Sequence, residues 1–233
     1  SKDKEYAQAV GYTVVDTSTV IATHLNSVLR DNTEELLTYE ITQNLIERVE
    51  ETSPKLIEEL IPENISMSII VKVLQNLLSE GVPIKDMRTI LETLSDIAPS
   101  TKSPEALTNY VRTKLGRLIV QQVCDPLDTL EVMTLEPNLE QMLTDLVKSA
   151  PNSEDVTLEP NLAQTLIETL SDEVTSAQES EKPAVLIVSP TIRTWLSHFI
   201  GKLKKDLSVL SYREVPDDQP IKILRTIELQ ERE

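Results

Sequence analysis

The sequence contains few of the residues on which many functional sites depend. Of its 233 residues, four are Gly, two are His and one is Cys, and aromatic residues make up 3%. The glycines stand only at positions 11, 81, 116 and 201, so no Gly-rich loop can form a phosphate cradle. Scarce Gly also disfavours tight hairpin turns and favours long helices. With so few aromatic residues, the core must be built from Leu, Ile and Val.

The single cysteine excludes a disulfide within the chain, which is typical of a protein from a reducing cytosol. Cys124 is followed by Asp125, and a neighbouring carboxylate disfavours the reactive thiolate, so we interpret this cysteine as structural. Apolar runs of about 20 residues, which a membrane-spanning helix needs, are also missing. The sequence has no secretory signal pattern at its start.

Basic residues are in short supply: 22 Lys and Arg face 39 Asp and Glu, giving a net charge of −17. Such a surface repels phosphate backbones, so nucleic acid is not an expected partner. Solubility is the ordinary reason for such acidity, and steering of basic partners is the functional alternative. The basic run from Lys202 to Lys205 lies at a predicted helix C-terminus, where cations favour the helix dipole.

The residues that remain do not assemble a catalytic pattern. His24 has Val20 and Val28 at the positions four residues away, so its helix face offers no second metal ligand. His198 lies between Trp195 and Phe199, and we interpret it as a partly buried helix residue. Because no motif joins a nucleophile, a base and an oxyanion donor, we expect no enzyme, no cofactor and no metal site. An unrecognised hydrolase is the alternative.

Helical patterns dominate the first half of the chain. Residues 12–15, Tyr-Thr-Val-Val, are aromatic or β-branched and predict a short strand, and Asp16 to Ser18 can cap a helix that carries Ile21 and Leu25. Two Ser-Pro pairs, at 53–54 and 103–104, predict further helix starts. The expected buried faces are Ile41, Leu45 and Val49, then Ile70, Val73, Leu74, Leu77 and Leu78, then Ile90, Leu91 and Leu94, and finally Leu107, Val111, Leu115 and Leu118 on one long helix.

The pattern changes after residue 123. Residues 130–135 alternate as a strand, and the hexapeptide Thr-Leu-Glu-Pro-Asn-Leu occurs at 134–139 and 157–162, each time leading into a helix. Residues 176–182 are polar and predict a loop. The segment 184–212 predicts a βαβ unit that begins with a doubly buried strand, and residues 221–229 predict a last strand.

These patterns define an α+β, mostly helical fold, in which a helical bundle is followed by a small α/β domain with a βαβ unit. We place a strand-helix segment at residues 1–30, the bundle at 31–123 and the α/β part at 124–233. Interfaces within one chain are often modest, so motion between the bundle and the α/β part is expected to be possible.

Three blocks resemble the FlhA family of flagellar type III export-gate proteins, which also includes the export gates of virulence injectisomes. The first is Gly-Tyr-Thr-Val-Val-Asp at 11–16 with Val-Ile-Ala-Thr-His-Leu at 20–25. The second is Val-Leu-Gln-Asn-Leu-Leu at 73–78 with Gly-Val-Pro-Ile at 81–84, and the third is Arg-Thr-Ile-Leu-Glu-Thr-Leu at 88–94. The blocks stand in the family's order, with Gly116-Arg117 behind them, and they look more flagellar than injectisome.

The resemblance implies a cytoplasmic docking platform without enzymatic activity, at the cytoplasmic face of the bacterial inner membrane. It implies a multi-spanning membrane domain outside this chain and a ring of nine subunits. The expected partners are export chaperones with bound substrates and components of the export ATPase complex. The family's apolar chaperone-binding dimple maps onto Val15, Val20 and Thr23, and its other wall would come from residues upstream of Ser1. The same three residues could instead only pack the strand against its helix.

Two other functions are compatible with the same resemblance. The chain could belong to the export-gate ring of an injectisome, or it could be a scaffold whose contacts are mainly between ring subunits.

Overall fold

The computed structural model of the chain describes residues 10, 14–150, 156–180, 182–201, 203 and 206–228. Their helices are α1 (Thr17–Asp31), α2 (Thr33–Leu36), α3 (Tyr39–Glu50), α4 (Pro54–Leu60), α5 (Met67–Ser79), α6 (Met87–Ile97), α7 (Pro104–Lys114), α8 (Gly116–Val120), α9 (Pro137–Ser149), α10 (Pro160–Glu179) and α11 (Pro190–Phe199). Their strands are β1 (Leu130–Leu135), β2 (Ala184–Val188), β3 (Leu207–Ser211) and β4 (Ile221–Ile227). The α+β, mostly helical fold class is therefore confirmed.

Local sequence signals explain where several helices begin and end. The side chains of Asp16, Asp86 and Ser103 each accept a hydrogen bond from the backbone N–H three residues on, which satisfies a donor that the helix itself leaves unpaired. Pro occupies the first turn of α4, α7, α9, α10 and α11, where its missing N–H costs no helical hydrogen bond. Gly81, two residues after the end of α5, has φ +72°, in the left-handed region that a side chain disfavours.

The four strands form one parallel sheet in the order β3-β2-β1-β4. β2, α11 and β3 are the βαβ unit that the apolar run at 184–188 predicted. All five residues of β2 are buried, as expected for a strand with neighbours on both sides and layers on both faces. β4 lies at the edge beside β1, and the register of this pair shifts between Val132 and Met133.

The sheet separates two hydrophobic cores. On one face the helical bundle packs against side chains that include Leu130, Val132, Val185, Ile187 and Leu210. On the other face α9, α10 and α11 cover Met133, Leu135, Leu186, Val188 and Val209. The sheet therefore contributes side chains to both cores, because each strand directs alternate side chains to opposite faces.

A buried ionic cluster joins the bundle to the α/β part. Arg112 Nη1 donates to Glu80 Oε2 at 2.7 Å, and Arg112 Nη2 donates to Glu214 Oε2 at 2.7 Å. Arg193 of α11 also donates to Glu80, and its Nη2 donates to Asn109 Oδ1 at 2.7 Å. All four charged side chains are at most 4% exposed. Burial lowers the pKa of Arg112, but Glu214 and Glu80 outweigh it and hold the pKa above its ordinary value.

The same joint contains a close backbone contact. A Cβ added at Gly116 would lie 2.1 Å from the backbone oxygen of Glu214, a separation that nonbonded atoms do not tolerate. Glycine is therefore needed at this position so that α8 can approach the turn after β3.

Several local predictions were wrong. The buried side of α3 consists of Thr42, Ile46 and Val49, whereas Ile41 is 45% exposed. The long helix expected from residue 104 is divided into α7 and α8, and α10 extends to Glu179, into the first part of the segment 176–182 that was predicted as a loop.

The strand expected at residues 12–15 was also wrong where it can be compared. Val14 and Val15 lie in an irregular segment, and residues 12 and 13 are outside the described part of the chain. The described residues provide no neighbouring strand with which Val14 and Val15 could pair.

Candidate docking surface

The segment predicted to bind chaperones leads into α1 and forms its first two turns. The Asp16 carboxylate accepts hydrogen bonds from the side chain of Thr19 and from Ser18 Oγ, the latter at 2.7 Å, and from the backbone N–H of Thr19 at 3.2 Å. These bonds stabilise the ionised carboxylate and lower the pKa of Asp16 to about 2. The cap therefore holds the start of α1 in place and orients the residues around it.

All three predicted site residues are exposed. Val15 is 54% exposed and Val20 53%, and Thr23 is also exposed. Val20 and Thr23 are three residues apart on the helix and so lie on the same side one turn apart, while Val15 precedes the cap. Among the described residues, no neighbouring element buries any of the three.

α1 also carries an apolar stripe that does not include Thr23. Its members are Ile21, Leu25, Val28 and Leu29, which are 42–61% exposed. Their spacing places them on one side of the helix, at the i, i+4 and i+8 positions that a helix normally buries. Thr23 lies on the opposite side of the helix. α1 therefore carries an exposed apolar stripe on one side and Thr23 on the other.

The residues considered for chemistry do not converge. His24 lies exposed on α1, and His198 is exposed on α11, so the prediction that His198 is partly buried was wrong. Within the described ranges, no group of three or more His, Cys, Asp or Glu residues could hold a metal ion. Burial raises the pKa of Cys124, as do Asp128 and Asp125 beside it, which disfavours the thiolate. Of the basic run at 202–205, only Leu203 is described.

The ionic cluster of Arg112, Arg193, Glu80 and Glu214 was missed by reasoning from the sequence. The available signal was that Arg193 is the one Lys, Arg, Asp or Glu residue of α11 and lies three positions before the buried Leu196, on the same side of the helix. Its carboxylate partner Glu80 is 113 positions away along the chain, which is why the sequence pattern alone could not pair them.

No helix among the described residues is both long and apolar enough to cross a membrane.

The fold is similar to that of solved proteins that include a cytosolic domain from the type III secretion system. The chain is similar to the nonameric EscV cytosolic domain from the type III secretion system, with a TM-score of 0.78, 25% identity and coverage of 91% of this chain and 62% of that one. It is also similar to a chain in the Chlamydia pneumoniae CdsV and CdsO complex, with a TM-score of 0.84, 25% identity and coverage of 97% and 66%.

The chain belongs to the FHIPEP family, which it matches over residues 1–220. It is 41% identical over 225 residues to the flagellar biosynthesis protein FlhA of Escherichia coli K12, covering 96% of this chain and 32% of that protein. The Bacillus subtilis FlhA is 30% identical over 226 residues, with 97% and 33% covered. The chain thus spans about a third of the length of the curated relatives it matches, and the family resemblance seen in the three blocks is confirmed.

Proposed function

We propose that this chain is part of the cytoplasmic docking platform of a flagellar type III export gate, at the cytoplasmic face of the inner membrane. The observation that carries the proposal is the exposed position of Val15, Val20 and Thr23 on a segment whose sequence places the chain in the FlhA group. These small side chains form a shallow, partly apolar surface that an export chaperone with its substrate can contact. The platform performs no reaction of its own.

Two further features support the flagellar assignment and the partners. Sequence identity to flagellar FlhA proteins reaches 41%, compared with 25% to the injectisome EscV domain. A solved relative contains CdsV together with CdsO, and another is nonameric. We therefore include a component of the export ATPase complex among the partners and propose self-association into a ring of nine.

The test is a hybrid in which these 233 residues replace the matching 32% of the Escherichia coli relative. Thr23→Asp should lower the affinity for an export chaperone–substrate complex about tenfold or more, because it places a charge without a partner at the contact. Isothermal titration calorimetry measures the affinity, and circular dichroism verifies that the fold is unchanged.

Thr175→Asp is the matched control, since Thr175 is also an exposed helical threonine, on α10. It should leave the affinity within about twofold of the parent value. An unchanged affinity for Thr23→Asp would remove Thr23 from the site.

A purely structural ring subunit is the second candidate, favoured by the nonameric relative. In that case the chain would assemble with increasing concentration, and chaperone complexes would neither bind nor alter the assembly. Analytical ultracentrifugation with and without the chaperone complex separates the two functions.

A further inference from the structure

The edge strand β4 carries apolar side chains in an exposed position. Six of its seven residues are exposed, and only Ile227 is buried. Ile221, Ile223 and Leu224 are 48%, 60% and 51% exposed, and Leu127, in the turn before β1, is 96% exposed. The strand therefore leaves several large apolar side chains uncovered among the described residues.

Ile221 and Ile223 lie on the bundle-facing side of the sheet, next to core residues of β1. In the parallel register Ile221 lies beside Leu130 and Ile223 beside Val132, and both of these β1 residues are 1% exposed. Residues aligned in register share a face of the sheet. The bundle covers β1 and leaves β4 open, so a further strand beside β4 would bury Ile221 and Ile223.

Along its outer edge, away from β1, the backbone of β4 has no strand beside it in the described part of the chain. The Pro220 carbonyl accepts from Leu130 N at 2.9 Å and therefore points toward β1. Because the N–H and C=O groups alternate sides along a strand, those of Ile221 and Ile223 point away from β1. An extended peptide can satisfy these groups, whereas a helix, whose own backbone is already paired, cannot.

The charges around β4 favour a basic partner. Lys222 pairs with Glu131 at 2.8 Å, a carboxylate that Lys182 also contacts, and Arg225 pairs with Glu173. Together with the nearby Asp125 and Asp128, four carboxylates therefore face three cations. Leu224 and Arg225 line one wall of a groove of about 860 Å³, in which the exposed Asp125 and Asp128 form no ion pair within the described part of the chain. The chain as a whole carries a net charge of −17. Cationic side chains on an incoming strand would therefore be attracted.

We infer that the outer edge of β4 is a second docking site, which binds an extended partner segment that alternates apolar and basic residues. The segment adds a fifth strand beside β4, covers Ile221 and Ile223, and directs its basic side chains toward the acidic groove. This site is separate from the surface on α1 and does not depend on the proposed function.

The test uses the whole 233-residue chain and a short acetylated peptide that alternates Val with Lys. Fluorescence anisotropy should give a Kd of about 10–100 µM, as expected for a small interface. Hydrogen exchange followed by NMR should show new protection at the amides of Ile221 and Ile223. Two peptides, N-methylated on Val or on Lys, distinguish strand addition from simple charge attraction. Only the one whose methyl groups face β4 should lose binding, because alternate residues point to opposite edges.

Ile223→Lys should weaken binding about tenfold, since it removes apolar contact and repels the peptide. Ile167→Lys makes the same change at an exposed position on α10 and should leave binding within about twofold. The inference is overturned if no peptide binds, if both variants weaken binding equally, or if a helical Leu-Lys peptide binds as tightly. Self-pairing of the chain through β4, detected by sedimentation and abolished by Ile223→Lys, would also overturn it.

Discussion

Replacement of Glu214 by Gln tests the ionic joint most directly. The change preserves the shape of the side chain but removes one of two negative charges that face Arg112 and Arg193, all of them at most 4% exposed. Removing one partner of a buried ion pair leaves an uncompensated charge and costs about 3–5 kcal/mol. A typical domain has a free energy of unfolding of about 5–15 kcal/mol, so this is a large fraction of the total.

Urea unfolding followed by two probes measures the effect. Circular dichroism reports mainly on the helices of the whole chain, and fluorescence of Trp195 reports on α11 in the α/β part. The parent chain should show coincident transitions. Glu214→Gln should lower the midpoint, and the two transitions should separate because the ionic contact between the bundle and the α/β part is weakened, which leaves their coupling to the hydrophobic packing on the sheet.

Two further variants sharpen the interpretation. Adding Arg193→Met to Glu214→Gln restores a neutral cluster, so the double variant should be less destabilised than the sum of the single changes. Asp218→Asn removes an exposed ion pair with Arg117 and should leave the midpoint unchanged. A loss below about 1 kcal/mol for Glu214→Gln, with coincident transitions, would refute the conclusion that buried charges hold the joint together.

Two other predictions concern glycine and the helix cap. Gly116→Ala should destabilise the chain by about 2–3 kcal/mol, because the added methyl group clashes with the Glu214 backbone. Gly81→Ala, which meets open space at φ +72°, should cost about 1 kcal/mol. Thermal unfolding compares the two variants, and equal losses of stability would contradict the clash. The carboxyl carbon of Asp16 should titrate in NMR with a midpoint of about 2 instead of 3.8, because Thr19 stabilises the ionised form. The folded pKa is lowered, so the cap's contribution is present above pH 3.8 and is lost as the pH falls toward 2; a midpoint near 3.8 would exclude the cap.

Much of the fold could be predicted because its signals are local. Ser103-Pro104 starts a helix, and the apolar run at 184–188 forms a doubly buried strand, since caps and hydrophobic periodicity depend on residues a few positions apart. α3 shows the limit of this reasoning. Thr42 is fully buried, and its hydroxyl donates to the Thr38 carbonyl at 3.0 Å, so a polar residue with a satisfied hydroxyl takes part in the buried side where Ile41 was expected.

The candidate site depended on different information. Val15, Val20 and Thr23 were identified from the family resemblance, because small exposed side chains carry no chemical signal of their own. The ionic joint was missed, since Arg112 and Glu214 are 102 positions apart and only the tertiary fold brings them together. Hydrophobic patterns predict which faces are buried, but they do not reveal which buried charges are paired with each other.

The position of β4 has a consequence for how the chain is synthesised. β1 pairs with β4, the last of the described strands, so the edge of the sheet beside Leu130 is completed only after Ile221 has been synthesised. The helical bundle is built from residues closer together in sequence, and its contacts can form while the C-terminal region is still being translated. Until β4 emerges, the edge of β1 is open to pairing with other nascent chains. A ribosome that stalls before residue 221 would thus hold a chain whose bundle has formed but whose β1 still has an unpaired edge.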